Sequence, residues 1–235
     1  MNGYRLGRRQ PLCADDMKNW LLIPGLLLAA CATLSAGLPE PTHPLLLVRN
    51  GNYAANPFAG YLSEILVAEG LAGFKEVELS DLALEPDPEN YLRAFSVVLL
   101  AETDLSPAQE QFFRNYVAGG GNLIAMRPDS DLADLFGLTY LGVRPEELLH
   151  FFAIDTAQEP GGGLPSVSLQ YHGQADNYAL NEAVSLADLW SSIDVPSTNP
   201  AVTLHSYGSG RAVAFAFDLA KSVVLMRQGN PAWQN

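Results

Sequence analysis

The apolar positions in the first half of the chain follow two alternating spacings. Short continuous apolar runs are typical of strands buried on both faces of a sheet, whereas apolar residues three or four positions apart are typical of a packed helix. The pattern predicts strands at 45–48, 74–79, 95–100 and 122–126, and helices at 57–70, 107–118 and 129–136. This order of elements predicts an α/β domain with a mostly parallel sheet and helices on both faces.

Two of the predicted helices have recognisable N-terminal signals. Ser106 precedes Pro107 and is followed three positions later by Gln109, which is a capping box with a proline in the first turn. Asn56-Pro57 is a simpler cap of the same kind. The acidic, proline-containing stretch 81–90 is predicted to be a loop.

The second half of the chain is richer in strand patterns. The predicted strands lie at 148–154, 166–171, 201–207 and 211–217, with a short helix inside 179–190. The glycine-containing turn 207–211 predicts a hairpin whose last strand rejoins the main sheet. We therefore expect a β-rich C-terminal elaboration of the α/β domain.

The N-terminal region has the pattern of a secretion signal. An apolar run at 20–30 follows the basic Lys18 and leads into Cys31, with Met17 as the predicted start of translation. The sequence Leu-Ala-Ala-Cys at its end resembles the lipobox of bacterial lipoproteins, in which the cysteine is lipidated. This predicts a protein of the bacterial cell envelope, outside the cytoplasm and anchored to the membrane by lipid on Cys31. A buried core helix, an uncleaved anchor and ordinary signal-peptidase cleavage near 35–37 are the alternatives, and the run is shorter than the ~20 residues that span a bilayer.

These segments divide the chain into four predicted parts. They are a signal segment at 1–30, a proline-rich tether at 31–43, the α/β domain at 44–221 and the start of a C-terminal extension at 222–235. The last stretch includes Trp233 and has no domain-closing pattern, so we expect the natural protein to continue; a frayed terminus is the alternative.

Composition narrows the range of partners. The formal net charge is −13, and removal of the signal segment, with four basic and two acidic residues, makes the remaining chain more acidic. Such a balance argues against a nucleic-acid partner and against binding of anionic lipid by surface charge. The two cysteines, Cys13 and Cys31, lie in or beside the signal, so the domain has neither a disulfide framework nor a cysteine nucleophile.

Four stretches of the domain resemble a known superfamily. They are the strand at 96–102, the helix end and strand at 116–124, the segment 200–203 and the hairpin at 208–213. Together they resemble the class I glutamine amidotransferase-like superfamily, especially non-amidotransferase branches such as the ThuA-like proteins and the trimerisation domain of some β-galactosidases. The resemblance covers roughly Pro44 to Lys221 and implies a flavodoxin-like fold.

The catalytic residues that this resemblance implies are missing. Catalytic members have a cysteine on the tight turn after the strand that matches 123–126, and a histidine after the late strand. Here the first turn reads Met126-Arg127-Pro128-Asp129, and the late strand ends in 217–220 without histidine. Because a hydrolytic triad needs a nucleophile beside a general base, these positions argue against glutaminase chemistry.

A ligand site is expected where the parallel strands end, because ligands of open α/β sheets bind beyond the carboxyl ends of the strands. The candidate binding residues in those loops are Asn50, Asn52, Tyr53, Glu102, Arg127, Asp129 and Asp218. Amides, carboxylates, an arginine and a tyrosine suit a polyol such as a sugar. The same residue types also suit helix capping and salt bridges between loops.

The remaining chemistry is sparse. His150, His172 and His205 are far apart in sequence and lack the spacing of a metal motif, and no cofactor is expected.

The leading hypothesis is a non-catalytic domain with a binding or assembly role in carbohydrate handling. The alternative is a hydrolase that acts on sugars or amides through Asp129, Asp218 or Glu102.

Overall fold

A nine-stranded sheet dominates the part of the chain that the structure describes. The computed structural model describes residues 43–145, 150–157, 159–165 and 167–228. The strands are β1 (Leu45–Arg49), β2 (Phe74–Glu78), β3 (Val97–Leu100), β4 (Asn122–Met126), β5 (Leu138–Val143), β6 (Phe151–Ile154), β7 (Ser168–Gln170), β8 (Asp176–Leu180), β9 (Val184–Ser192), β10 (Val195–Tyr207) and β11 (Gly210–Phe215). The helices are α1 (Tyr61–Ala68), α2 (Leu79–Leu82), α3 (Pro88–Arg93), α4 (Pro107–Ala118) and α5 (Leu219–Gln228), with a 3₁₀ helix at Ser130–Phe136.

The fold is mixed α/β, and the sheet has a parallel and an antiparallel half. The strand order is β2-β1-β3-β4-β11-β10-β9-β6-β7, and β5 pairs separately with β8. The pairings from β2 to β11 are parallel, and those from β11 to β7 are antiparallel. The expectation of a mostly parallel sheet is therefore corrected, because the β-rich second half extends the same sheet by four antiparallel pairings.

The two faces of β1 explain its continuous apolar run. Leu46 and Val48 belong to the larger core cluster, which also contains Phe113 of α4. Leu47 points into a smaller cluster with Leu62 of α1 and Ala220 of α5. Both faces of the strand exclude water, so polar residues would be costly at each of its central positions.

Two predictions from strong local signals are confirmed. The side chain of Ser106 caps the N-terminus of α4 and Gln109 bonds back to it, while Gly119 ends the helix. The hairpin between β10 and β11 pairs Tyr207 with Gly210, and β11 inserts beside β4, as predicted for the last strand.

Three local predictions were wrong. Helix α1 begins at Tyr61 rather than at Pro57, because Asn56 uses its side chain in contacts described below. The predicted loop 81–90 includes the end of α2 and the start of α3, which Asp87 caps with Pro88 in its first turn. The segment 179–190 forms strand rather than helix, since pairing of β9 with both β10 and β6 outweighs local propensity.

The end of the described chain packs onto the domain. Helix α5 continues past residue 221, and its Ser222 and Val224 are buried. None of the helices in the described ranges has the length and the apolar character of a membrane-spanning segment. The signal segment, Cys31 and nearly all of the predicted tether lie outside the described residues.

Candidate functional site

The carboxyl ends of four parallel strands meet at one edge of the sheet. Tyr53 follows β1, Glu102 follows β3, Arg127 follows β4 and Asp218 follows β11. Parallel register brings these residues, up to 165 positions apart in the numbering, to the same edge. The rule that ligands bind beyond the carboxyl ends of parallel strands therefore predicted that these four residues lie at a common edge.

A polar cleft of about 140 Å³ opens at this edge. Loops after β1, β3 and β4 form one part of its wall, and β5 and β8 contribute Tyr140 and Asp176. The lining residues are Tyr53, Glu102, Thr103, Asp104, Arg127, Pro128, Asp129, Ser130, Tyr140 and Asp176.

Arg127 lines this cleft in a strained backbone conformation. Its φ is 39°, in the left-handed region that costs a residue other than glycine about 1 kcal/mol or more. One Nη donates to Glu102 and the other donates to Asp176, each over 2.9 Å. The Nε atom is buried and has no hydrogen-bond partner among the described residues. The two carboxylates hold the guanidinium in place, so the surrounding structure overrides the local strain.

The turn after β4 therefore has an arginine where the superfamily resemblance implies a cysteine nucleophile. A left-handed residue directly after a strand is also the backbone arrangement of a nucleophile elbow. Here that backbone presents a guanidinium, which stabilises negative charge and donates hydrogen bonds but is not a nucleophile.

Asp176 reaches the cleft through contacts that the sequence does not reveal. The first residues of β8 join the end of β11, where Ala175 bridges to Phe217 and the Asp176 N–H donates to the Ala216 carbonyl over 2.8 Å. The side chain of Asp176 is 8% exposed and faces Arg127. The second half of the chain thus completes a site that begins in the first.

A buried amide links two carboxylates beneath the cleft. The Asn56 Nδ2 donates to Glu102 over 2.6 Å and also to Asp218, while its Oδ1 accepts from the Phe58 N–H. The three residues are almost fully buried, with 1% of Asn56, 7% of Glu102 and 3% of Asp218 exposed. Asn56 is therefore a bridge between strand ends rather than the cap of a helix starting at Pro57.

Burial changes the acidity of both carboxylates. Loss of hydration raises the pKa of Glu102, and the negative charge of Asp218 adds to that rise, although Arg127 and Asn56 oppose it. Burial also raises the pKa of Asp218 against the hydrogen bonds from Asn56 and from backbone N–H groups of α5. Each group retains a proton more readily than an exposed carboxylate does.

Tyr53 lies at the rim as a hydrogen-bond donor. Its hydroxyl donates to Asp104 over 3.0 Å, and burial together with that carboxylate raises the pKa of Tyr53 to about 12. The phenol therefore stays protonated at neutral pH. Beside it, the Asn50 side chain donates to the Thr103 hydroxyl over 3.0 Å and holds the loop after β1 against the loop after β3.

The other predicted binding residues have structural contacts. Both oxygens of Asp129 accept backbone N–H groups, from Asp131 and from Leu105, so this carboxylate caps the 3₁₀ helix although it lines the rim. Asn52 is exposed, does not line the cleft, and donates its backbone N–H to Asn50. Asp129 thus shows the capping role that the sequence left open, whereas Asn52 contributes only a backbone donor to the loop.

The histidines are spread over the antiparallel half and the loops. His205 contacts the Leu135 carbonyl over 2.9 Å, His150 stacks on Tyr171, and the His172 N–H donates to Ser222. Within the described ranges, no group of three or more histidine, cysteine, aspartate or glutamate residues is arranged to hold a metal ion.

The sequence did not predict the roles of three residues at this edge, Asn56, Asp176 and Tyr140. Asn56 was interpreted as a helix cap, whereas Asp176 and Tyr140 lie in strands that no local motif connects to the site. The Asn56–Asp218 contact joins positions 162 apart, and the Arg127–Asp176 contact joins positions 49 apart. Only the tertiary pairing of β8 with the end of β11 could have revealed Asp176.

Comparison of the sequence with known proteins finds no matching family model and no matching curated protein sequence. Comparison of the structure finds several solved structures with a similar fold. A β-galactosidase from Bacillus circulans sp. alkalophilus is 13% identical with a TM-score of 0.56, and the match covers 83% of this chain and 32% of the galactosidase.

Two smaller proteins match over most of their length. A ThuA-like protein from Bacteroides uniformis is 13% identical with a TM-score of 0.54, covering 77% of this chain and 84% of its own. A cytoplasmic protein from Salmonella typhimurium LT2 is 15% identical with a TM-score of 0.55, covering 79% and 93%.

These matches concern the fold. The chain spans about a third of the length of the β-galactosidase it matches. At 13–15% identity the similarity extends to architecture and not to chemistry. The resemblance to ThuA-like proteins and to β-galactosidases that the sequence indicated is supported at this level.

Proposed function

We propose that this protein is a lipid-anchored, extracytoplasmic protein whose α/β domain binds carbohydrate and has no catalytic activity of its own. The parallel half of its sheet would serve as a flavodoxin-like scaffold, with the binding site at the carboxyl ends of the strands. The single observation that carries the binding role is the polar cleft around Arg127, with Tyr53 and Tyr140 in its wall.

The composition of the cleft suits a sugar ring. A sugar hydroxyl both donates and accepts, so it can accept from Arg127 while donating to a carboxylate such as Asp104. The ring of Tyr140 offers an apolar surface beside these polar groups. The volume of about 140 Å³ is well below the ~300 Å³ or more of pockets for drug-sized ligands, which favours a single ring.

The structural neighbours add a link to carbohydrate. One of them is a β-galactosidase, and this chain matches only about a third of it. A shared architecture does not transfer an activity. It supports carbohydrate as the first ligand class to test.

The absence of catalysis is supported by the contacts of the acidic residues. A glycosidase needs two carboxylates on opposite sides of the scissile bond, roughly 5 to 10 Å apart. Here the Asn56 amide occupies the space between Glu102 and Asp218, and a substrate would have to displace a side chain that is 1% exposed. Asp129 uses both oxygens as a cap. The hydrolase alternative therefore has less support than binding.

The proposed location depends on the N-terminal sequence. A basic residue, an apolar run and Leu-Ala-Ala-Cys ending at Cys31 support lipid attachment. The acidic composition of the chain gives it no electrostatic attraction to anionic membranes, so a covalent lipid would be needed to hold it there.

Sugar binding can be tested with a matched pair of tyrosine variants. Tyr140 in the cleft and Tyr61 elsewhere are 37% and 36% exposed, and each contacts another aromatic ring. We expect saturation-transfer NMR to detect D-galactose binding to the full chain and to Tyr61→Ala, and at least about tenfold weaker binding to Tyr140→Ala. Lack of a wild-type signal with D-galactose, or an unchanged affinity in Tyr140→Ala, would contradict this site.

The anchor is tested independently. Cells that express the wild type and Cys31→Ser are labelled with a fatty-acid probe and fractionated. We expect incorporation of the probe and retention at the membrane only for the wild type. Membrane retention of the serine variant at the wild-type level would reject lipid anchoring.

A further inference from the structure

The charge of the cleft bears on which sugars it can accept. Its charged lining consists of four carboxylates and one guanidinium, namely Glu102, Asp104, Asp129, Asp176 and Arg127. The exposed rim contributes Asp104, and the buried wall contributes Glu102 and Asp176. A ligand that enters therefore meets an excess of negative charge.

The arginine does not offset this excess for a ligand. Both Nη groups of Arg127 already donate to carboxylates, at 2.9 Å from Glu102 and 2.9 Å from Asp176. Its positive charge is shared between two negative neighbours, so an incoming anion would be closer to uncompensated carboxylate charge than to a spare cation. Arg127 can still donate hydrogen bonds to a neutral oxygen through its remaining N–H groups.

Hydrogen-bonding capacity favours the same ligands. Carboxylates only accept hydrogen bonds, so a cleft with four of them needs ligand groups that donate. Hydroxyl and ammonium groups donate, whereas an ionised carboxylate or a fully ionised phosphate only accepts. Charge and hydrogen bonding thus select in the same direction.

We propose that the cleft accepts neutral sugars and amino sugars and excludes sugars that carry a carboxylate or phosphate group. This inference rests on the proposed function and names the class of ligand for the same site. The repulsion comes from like charges a few ångströms apart at the boundary of protein and solvent, where they interact more strongly than in bulk water.

The test uses three sugars that share one ring and differ in charge. D-Galactose, D-galactosamine and D-galacturonate are titrated into the full chain at low ionic strength, at a pH below the pKa of the amine. We expect D-galacturonate to bind at least about tenfold more weakly than D-galactose, and D-galactosamine to bind at least as tightly as D-galactose. Added salt should weaken D-galactosamine binding and leave D-galactose binding unchanged.

A charge-removing variant makes the test specific to the cleft. In Asp104→Asn the Tyr53 hydroxyl retains an oxygen acceptor, so the rim geometry is kept while one negative charge is lost. We expect this variant to bind D-galacturonate more tightly and D-galactosamine more weakly, each by several-fold. Glu85→Gln removes an exposed charge outside the cleft and should change neither affinity.

Failure of the proposed sugar binding and failure of the charge selection give different results. If none of the three sugars binds, the proposed function is overturned and this inference with it. If D-galactose binds at the cleft and D-galacturonate binds there equally well, the charge selection alone is overturned. Equal effects of Asp104→Asn and Glu85→Gln would also overturn it.

Discussion

Opposite ends of the same parallel strands bury different kinds of group. At the carboxyl ends, Asn56, Glu102 and Asp218 lie buried in one hydrogen-bonded network under the cleft. At the amino ends, glycine backbone packs directly on backbone: a Cβ on Gly210 would overlap the carbonyl oxygens of Gly121 and Val117. One end buries ionisable groups at an energetic cost, and at the other end backbone packs on backbone around Gly210.

The larger cavity is found at the end with less chemistry. A groove of about 460 Å³ lies at the amino ends beside Gly119, Gly120 and Gly121, and the cleft around Arg127 is smaller. Buried charge and a strained backbone persist only when something else maintains them, and they cluster at functional sites. Buried chemistry therefore favours the carboxyl ends as the candidate site, although the cavity there is the smaller of the two.

The largest expected effect on stability comes from loss of Arg127, because its guanidinium pairs with two buried carboxylates. Arg127→Met leaves the buried Glu102 and Asp176 without their cation, so we expect the free energy of unfolding to fall by about 3 kcal/mol. Chemical denaturation measures it. Arg114 is a matched control because its side chain is 19% exposed, against 18% for Arg127, but its partner Asp134 is 61% exposed. Arg114→Met should cost less than about 1 kcal/mol, and equal losses would contradict the comparison.

The packed end responds to added volume. In Gly210→Ala the new methyl group meets backbone oxygens that cannot rotate away, so we expect a loss of about 2 kcal/mol in the free energy of unfolding. Gly60→Ala is the control because nothing lies within 4 Å of its Cβ position. Sugar binding by folded Gly210→Ala should match the wild type, and a selective loss of binding would indicate that the amino end also takes part in the site.

The pH dependence of stability tests the buried carboxylates at the carboxyl ends of the strands. Because the folded state raises the pKa of Glu102 and Asp218, it binds protons more tightly than the unfolded chain does. Their contribution to stability is therefore fully present below the unfolded pKa and is lost as pH rises through the folded pKa. We expect the denaturation midpoint to rise as the pH is lowered from neutral to about 5. This rise should be larger in the wild type than in Glu102→Gln. Parallel pH profiles in the two proteins would contradict this assignment.

The smallest expected effect on stability is at the rim. Tyr53→Phe removes the hydroxyl that donates to Asp104 in a half-exposed position, so the unfolding free energy should change by less than about 0.5 kcal/mol. D-Galactose affinity should nevertheless fall several-fold, since the cleft loses a hydroxyl oxygen that can accept from the sugar and the contact that holds Asp104. A change in stability without a change in affinity would assign Tyr53 to the fold instead.

The sequence supported the parts of this fold that depend on local pattern. Apolar runs predicted β1, β3 and β4, and the capping box at Ser106 predicted the start of α4. The rule that ligands bind at the carboxyl ends of parallel strands placed Glu102, Arg127 and Asp218 at one edge.

The rest depended on contacts between distant segments. The antiparallel half follows from pairing of β9 with β10 and β6, which overrode the helix expected within 179–190. Asn56 had a cap signal, but its amide instead bridges Glu102 and Asp218. Asp176 reaches Arg127 only because β8 joins the end of β11. None of these contacts has a local sequence signature.

We propose that ligand binds at the charged carboxyl ends of the strands and not in the larger groove at the amino ends. Titration of D-galactose into ¹⁵N-labelled full-length protein, followed by amide chemical shifts, tests it directly. We expect shifts around Tyr53, Glu102, Arg127 and Tyr140, with Gly120 and Gly121 unmoved. Shifts confined to the triglycine groove, or no shifts at saturating sugar, would contradict it.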